Sequence, residues 1–151
     1  MLNPYYVTGF VDGEGSFSVT VSVRPKLHWG IEIRPSFSIS QNRKSRSILF
    51  QIKEFFNCGY IRPSRKDNTY KYEVRSLKDL TTKIIPHFES YPLRTQKRKN
   101  FEKFKKIVLL MGENKHLQRE GLKRILSLLE EINPASKKVY NRKEIERLMK
   151  V

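Results

Sequence analysis

At 151 residues, with 38% hydrophobic and 11% aromatic side chains, the chain can bury a core of its own and is too apolar for a disordered polymer. Lys and Arg number 31 against 15 Asp and Glu, a formal net charge of +16, which works against a compact fold unless a polyanion shares the surface. Nucleic acid is the natural polyanion, but DNA and RNA fit the charge equally well. No apolar run approaches the ~20 residues that span a bilayer. The start, Met1-Leu2-Asn3-Pro4, lacks a signal-peptide pattern. Cys58 is the sole cysteine, which excludes a disulfide framework and a cysteine zinc site and suits a reducing compartment. The 3 histidines, His28, His87 and His116, lie far apart and read as surface or packing residues, not metal ligands.

Asn3 followed by Pro4 reads as a helix cap and first helical position. The short helix runs through Asp12 and is ended by Gly13 and Gly15. A clean period of two follows: Phe17, Val19, Val21 and Val23 alternate with Ser16, Ser18, Thr20, Ser22 and Arg24, the pattern of a half-buried strand. After a turn over 25–30 the code repeats, with Ile31, Ile33, Phe37 and Ile39 against Glu32, Arg34, Ser36, Ser38 and Ser40. Pro35, on the apolar side, predicts a bend or an edge. These strands form a long antiparallel hairpin with one greasy and one polar face.

A helix is predicted over 45–57, with Ile48, Leu49, Ile52, Phe55 and Phe56 as its apolar stripe and Gly59 as the stop signal. Residues 60–64 and 69–75 read as a second hairpin turning at Lys66-Asp67-Asn68. Ser76-Leu77-Lys78-Asp79 resembles a capping box, and its helix runs to about Ile85, broken by Pro86. Phe101, Phe104, Val108 and Met111 mark a helix ending near Gly112. Residues 117–132 form a Leu-rich packing helix, 135–140 a linker, and Asn141 caps a last short helix carrying Ile145, Leu148 and Met149. Helix, two strands, helix, two strands, helix is an α+β order with a four-stranded antiparallel sheet. The whole chain, 1–151, is read as one domain, with a core at about 4–111 and a helical extension at about 113–151.

The most informative string is Val7-Thr8-Gly9-Phe10-Val11-Asp12-Gly13-Glu14-Gly15. Gly9 and Gly13, four apart, line one helical face beside the small Thr8, which suits a close helix crossing. Inside a helix Gly9 costs about 1 kcal/mol relative to Ala, and close packing is a sufficient reason for it. Glu14 is expected just past the helix C-terminus, electrostatically the wrong end for a carboxylate unless a divalent cation reverses the balance. The string resembles the LAGLIDADG signature, with Val, Thr and Glu where that name has Leu, Ala and Asp. The αββαββα element order matches that family's core over residues 4–111. The stretch Tyr91-Pro92-Leu93-Arg94-Thr95-Gln96-Lys97 also looks like the family's segment before its last core helix.

The resemblance implies a single-motif homing endonuclease, intron-encoded, that cuts both strands of DNA and leaves short 3′ overhangs. It makes Glu14 a catalytic metal ligand assisted by the backbone carbonyl of Gly13. It gives Gln41 the orientation of water near the metal, and Lys97 a place near the scissile phosphate, with Arg94 a rival for that basic role. Where the family allows a basic residue soon after Gln41 this chain has Ser45, a departure, flanked by Arg43 and Arg46. A single motif copy implies a homodimer whose two-fold axis pairs the motif helices through Tyr5, Thr8, Gly9, Asp12 and Gly13. Asp12 is read as structural, capping or touching the partner helix. Mg²⁺ suits an oxygen-only site, with Mn²⁺ or Ca²⁺ able to substitute for binding.

Family resemblance also makes the sheet a DNA-binding saddle, and a two-stranded ribbon fits the major groove. The residues offered are Ser22, Arg24, Lys26, Glu32, Arg34, Ser36, Ser38 and Ser40 on the first hairpin. On the second they are Arg62, Ser64, Arg65, Lys66, Asn68, Lys71, Glu73 and Arg75, with the inward face left open. His28 and Trp29 at the first tip either touch the backbone or cover the turn. Residues 94–106 hold 7 basic side chains and one acid, Glu102, a phosphate grip or a solvated helix face. The rival readings are an intron-encoded maturase, with intron RNA as partner, and a non-catalytic DNA-binding relative. An intracellular setting is expected, whether chloroplast, mitochondrion or prokaryotic cytoplasm, with no membrane partner.

Overall fold

The structure, a computed structural model, describes residues 1–132 and Lys143; the linker read at 135–140 and the helix read after Asn141 lie outside the described residues. Helix α1 spans Pro4–Glu14, opened as expected by the Asn3 side chain, which accepts a hydrogen bond from the Tyr5 amide at 2.8 Å, and by Pro4 at the first turn. It ends two residues later than its glycines suggest. Gly13 and Glu14 form its last turn, and the Gly15 amide still bonds the Val11 carbonyl. Gly15 starts strand β1, Gly15–Val23, tight against the helix: a Cβ there would lie 2.6 Å from Val11 Cγ1 and 3.0 Å from the Val11 oxygen. The glycine permits the chain to fold back from helix to strand without a spacer.

Strand β2 spans Ile31–Asn42 and pairs antiparallel with β1 from Val23↔Ile31 to Gly15↔Ile39. The chain then takes a 3-10 turn, Arg43–Ser45, before helix α2, Ser47–Phe56, whose Leu49, Ile52 and Phe56 are buried. Asn57 stops α2 in a left-handed conformation, φ 53°, so the stop falls there and not at Gly59. The side-chain amide makes Asn one of the few residues that visit this region readily. Strands β3, Tyr60–Pro63, and β4, Thr69–Val74, form the second hairpin. The four strands run in the order β1-β2-β4-β3, every pair antiparallel. Because β4 pairs with β2 only up to Phe37↔Val74, Pro35 lies beyond it, on a stretch of β2 with a free edge. That is where a missing N–H is tolerated.

Helix α3, Leu77–Asp79, is capped by Ser76 as predicted, passes into a wider π-type turn, Leu80–Ile84, and continues as α4, Ile85–Ser90. The expected break at Pro86 does not occur, because the widened turn resets the hydrogen-bond frame and leaves Pro86 in the first turn of α4. A proline costs no helical bond in a first turn. Helix α5, Lys97–Gly112, and helix α6, Arg119–Ile132, complete the described chain.

The core is aromatic at its centre. Phe17 lies 5.3 Å from Phe37, 5.5 Å from Phe88 and 5.3 Å from both Phe101 and Phe104, ring centroid to ring centroid, tying β1 to β2, α4 and α5. Leu122, Ile125, Leu126 and Leu129 of α6 belong to the same buried cluster. Trp29 donates its indole N–H to the Leu117 carbonyl at 3.0 Å, so the tip of the first hairpin is tied to the turn before α6. Among the described residues no helix is long and apolar enough to cross a membrane.

Candidate active site and nucleic-acid interface

Three segments converge where α1 ends. Glu14, exposed in the last turn of α1, accepts a hydrogen bond from Gln41 Nε2 at 3.2 Å; the same amide nitrogen donates to the Ser40 carbonyl at 2.9 Å. Gln41 has the inward parity of Phe37 and Ile39, and at the strand's end this parity carries its side chain to the helix terminus. Lys97, the first residue of α5, sends its ammonium to the Val11 and Asp12 carbonyls at 3.0 and 3.1 Å. These are carbonyls of the last turn of α1, where a cation is favoured. Partial burial pushes the Lys97 ammonium below its ordinary pKa, against the opposing pull of Asp12 and Glu14. The rival, Arg94, contributes its backbone amide, not its side chain, to this junction.

Asp12 holds the junction rigid. Its carboxylate accepts from the Arg94 amide at 2.8 Å, the Thr95 amide at 3.2 Å and the Thr95 hydroxyl at 2.6 Å. Desolvation raises its pKa, but those three bonds and the Lys97 charge outweigh it, and the carboxyl sits below its usual range. Asp12 thus fastens α1 to the segment leading into α5 within one chain, the capping role among its two readings. No local signal in the sequence marks Thr95, since its partner carboxylate lies 83 positions earlier.

Three of the residues expected on the open face of α1 face outward, and Thr8 does not. A Cβ added at Gly9 or at Gly13 would meet nothing within 4 Å, so both glycines face open space, and Tyr5 beside them is 69% exposed. Thr8 instead turns inward. Its buried hydroxyl donates to the Tyr91 carbonyl at 2.9 Å and lies 3.0 Å from His87 Nε2. Since that hydroxyl's proton is committed to Tyr91, His87 Nε2 must carry the N–H that completes the chain. Burial among Phe55, Phe56, Phe88 and Tyr91 pushes the His87 pKa down to about 4, so the ring is neutral near pH 7.

The donors at the α1 terminus are oxygens: the exposed Glu14 carboxylate and the carbonyl of Gly13, which lies in a last helical turn that no later helical N–H reaches. They suit a hard divalent cation such as Mg²⁺. Among the described residues no three of His, Cys, Asp and Glu stand together, and with the Asp12 carboxylate engaged by Arg94 and Thr95 the carboxylate open at this terminus is that of Glu14.

The polar face of the sheet is continuous across all four strands. The register sets Ser16, Ser38, Glu73 and Tyr60 in one row and Ser40, Lys71 and Arg62 in the next, with Thr20 opposite Arg34 and Ser22 opposite Glu32. This resolves which side of the second hairpin turns inward: Tyr72 and Val74 are buried, and Lys71 and Arg62 share the polar face. Arg24, Lys26, Arg34, Arg62, Arg65, Lys66, Asn68 and Arg75 are exposed, as are Ser22 and Ser40. Arg24 and Arg34 both pair with Glu32, at 2.8 and 3.0 Å. Ser36, Ser38 and Glu73 correct the sequence reading. All three are buried, Glu73 to 2% exposure, with the Ser36 and Tyr60 hydroxyls and two arginines spent on the Glu73 carboxylate. Arg46 lies over the Tyr70 ring, 5.6 Å from its centroid. The phosphate grip read at 94–106 is partly committed within the chain, with Lys103 near the Glu131 carboxylate at 4.0 Å and Lys105 near that of Glu89 at 3.6 Å.

A four-stranded antiparallel sheet backed by helices, with a glycine-lined helix ending in an acid, defines an α+β architecture, and the comparisons place it in a family. Residues 7–108 match the family described as LAGLIDADG endonuclease. The chain belongs to the LAGLIDADG endonuclease family. It is 44% identical over 126 residues to the probable intron-encoded endonuclease 2 of Neurospora crassa, which covers 83% of this chain and 28% of that protein. The solved homing endonuclease I-TnaI superposes with a TM-score of 0.83 at 35% identity, over 99% of this chain and 97% of that one. I-SmaMI bound to its uncleaved DNA target in the presence of calcium ions gives a TM-score of 0.88 at 36% identity, over 97% of this chain and 48% of that one. The chain therefore spans about a quarter of the Neurospora relative and about half of I-SmaMI.

Proposed function

We propose that this chain is a site-specific, intron-encoded homing endonuclease that hydrolyses both strands of a long, roughly palindromic DNA duplex. The observation that carries this reading is the junction at the end of α1, where an exposed Glu14 carboxylate is touched by Gln41 and flanked by the Lys97 ammonium. Glu14 and the Gly13 carbonyl would hold Mg²⁺, with Mn²⁺ or Ca²⁺ able to replace it for binding; when bound, the ion lowers the pKa of water and stabilises a leaving oxygen. Gln41 orients a water at the Glu14 carboxylate. Lys97 stabilises negative charge building on the scissile phosphate, its reduced pKa bringing it closer to proton exchange.

One carboxylate per chain calls for a second unit, and a second copy of this chain is the reading we adopt. The open face of α1 at Gly9 and Gly13, with Tyr5 exposed beside it, suits a close two-fold helix crossing that brings two Glu14 carboxylates together. The basic face of the sheet takes the duplex, with Arg24, Lys26, Arg34, Arg62, Arg65, Lys66, Asn68, Lys71 and Arg75 among its contacts. A location within an intron follows the names of the relatives and suits an organellar or prokaryotic genome.

Selection from a randomised duplex pool, then cleavage of the enriched duplex with Mg²⁺, tests the proposal. Wild type is expected to make a specific double-strand break, and Glu14→Gln to lose it by at least about a hundredfold while binding persists. Glu14→Gln cutting at the wild-type rate excludes Glu14 as the metal-holding acid, and failure of the wild type to enrich any duplex excludes the DNA reading.

A further inference from the structure

An acid lies buried in the middle of a basic face. Glu73 of β4 is 2% exposed, and its two oxygens are occupied symmetrically. Oε2 accepts from the Ser36 hydroxyl at 2.6 Å and faces Arg75 Nε at 3.3 Å. Oε1 accepts from the Tyr60 hydroxyl at 2.7 Å and faces Arg62 Nη2 at 3.5 Å. Each oxygen thus has one hydroxyl and one guanidinium, and no lone pair is left for a base or for water. The desolvation that raises its pKa is outweighed by the Ser36 and Tyr60 bonds and by the Arg75 and Lys71 charges, so the group stays ionised.

Such a group has no evident use for stability alone. A buried ion pair is often replaced by apolar residues at no loss, and a carboxylate beneath a polyanion repels it. Its partners differ from it in exposure: the Arg62 side chain is 53% exposed and that of Arg75 46%. One edge of each guanidinium is held by Glu73, and the remaining N–H groups are free to face outward. An unheld arginine reaches whichever phosphate is nearest, whereas a held one can meet only the group that arrives in register.

We propose, resting on the DNA-binding reading, that Glu73 is a specificity-determining positioning residue, which clamps Arg62 and Arg75 so that they read base edges and do not wander to phosphates. Tyr60 and Ser36 fix the clamp from the neighbouring strands. Glu73 itself touches no DNA.

The test compares wild type, Glu73→Gln and Tyr60→Phe on two probes, with Ca²⁺ as the only divalent ion: the duplex that wild type enriches from a randomised pool, and a scrambled duplex of the same composition. Glu73→Gln keeps the shape and releases both arginines. The ratio of specific to scrambled affinity is expected to fall by about tenfold or more, the worth of one well-made arginine–base contact. Scrambled-duplex binding should tighten and its salt dependence steepen, since freed arginines neutralise additional phosphates. Tyr60→Phe removes one of the hydroxyls and should shift the ratio the same way by less. It alters an exposed ring, so it remains informative if Glu73→Gln fails to fold. Folded variants that keep the wild-type ratio and salt slope overturn the clamp. A wild type without preference between the probes overturns the DNA reading instead, and the two failures are distinct.

Discussion

Single side chains in this protein are held by partners far away in sequence, and His87 shows the consequence. Its ring is neutral because it is buried, and its Nε2 proton goes to Thr8 on α1. The folded pKa, about 4, lies below the ordinary 6.5, so between those values the unfolded chain binds the extra proton. Stability is therefore fully present above about pH 6.5 and is lost as pH falls toward 4. In Glu14→Gln protein, which removes cleavage from consideration, urea unfolding at pH 7 and pH 5 should differ by about 1–2 kcal/mol more with His87 than with His87→Gln, whose amide keeps a donor for Thr8 but does not titrate. Equal pH dependence in the two proteins would remove His87 as the source. The Cys58 thiol, raised by burial, is by contrast poorly suited to nucleophilic or redox chemistry.

At the level of the element, α1 is built with two unlike faces. Val7, Thr8 and Val11 go into the core, while Gly9, Gly13 and Tyr5 face outward. A glycine within a helix costs about 1 kcal/mol relative to alanine, and the empty space beyond Gly9 means that this chain's own packing does not require it. Gly9→Ala should accordingly leave the melting temperature unchanged or raise it, yet weaken self-association by tenfold or more, because the extra methyl enters a two-fold contact twice. Sedimentation equilibrium and thermal unfolding on the same samples check both halves. Unaltered association would show that a second copy does not dock on this face.

For the whole molecule, a net charge of +16 goes with a sheet face and a segment at 94–106 that are rich in Lys and Arg among the described residues, while two acids of that face are tied up. Glu32 is shared by Arg24 and Arg34, and Glu73 by Arg62 and Arg75, so the face presents cations outward. Duplex affinity is expected to drop by about three orders of magnitude between 50 and 200 mM salt, the response of a protein neutralising six or more phosphates. A nearly flat response in a fluorescence anisotropy titration would mean that this face is not the one used.

Much of this was legible from residues alone. The period-two code of the first hairpin, the Asn3-Pro4 start of α1 and the second hairpin follow from local pattern, because alternation, capping and turn chemistry act over a few residues, whereas the expectation that Gln41 and Lys97 join Glu14 comes from the family resemblance. What needed the tertiary structure was whatever depends on contacts between distant segments. The inward turn of Thr8 depends on His87 and Tyr91. The passage of the helix through Pro86 depends on a widened turn that no local signal announces. The withdrawal of Ser36, Ser38 and Glu73 from the polar face depends on the β2-β4-β3 register. Alternation sorts side chains onto two faces, but burial is set by what neighbouring strands lay over them, and strand order is not written in either strand alone.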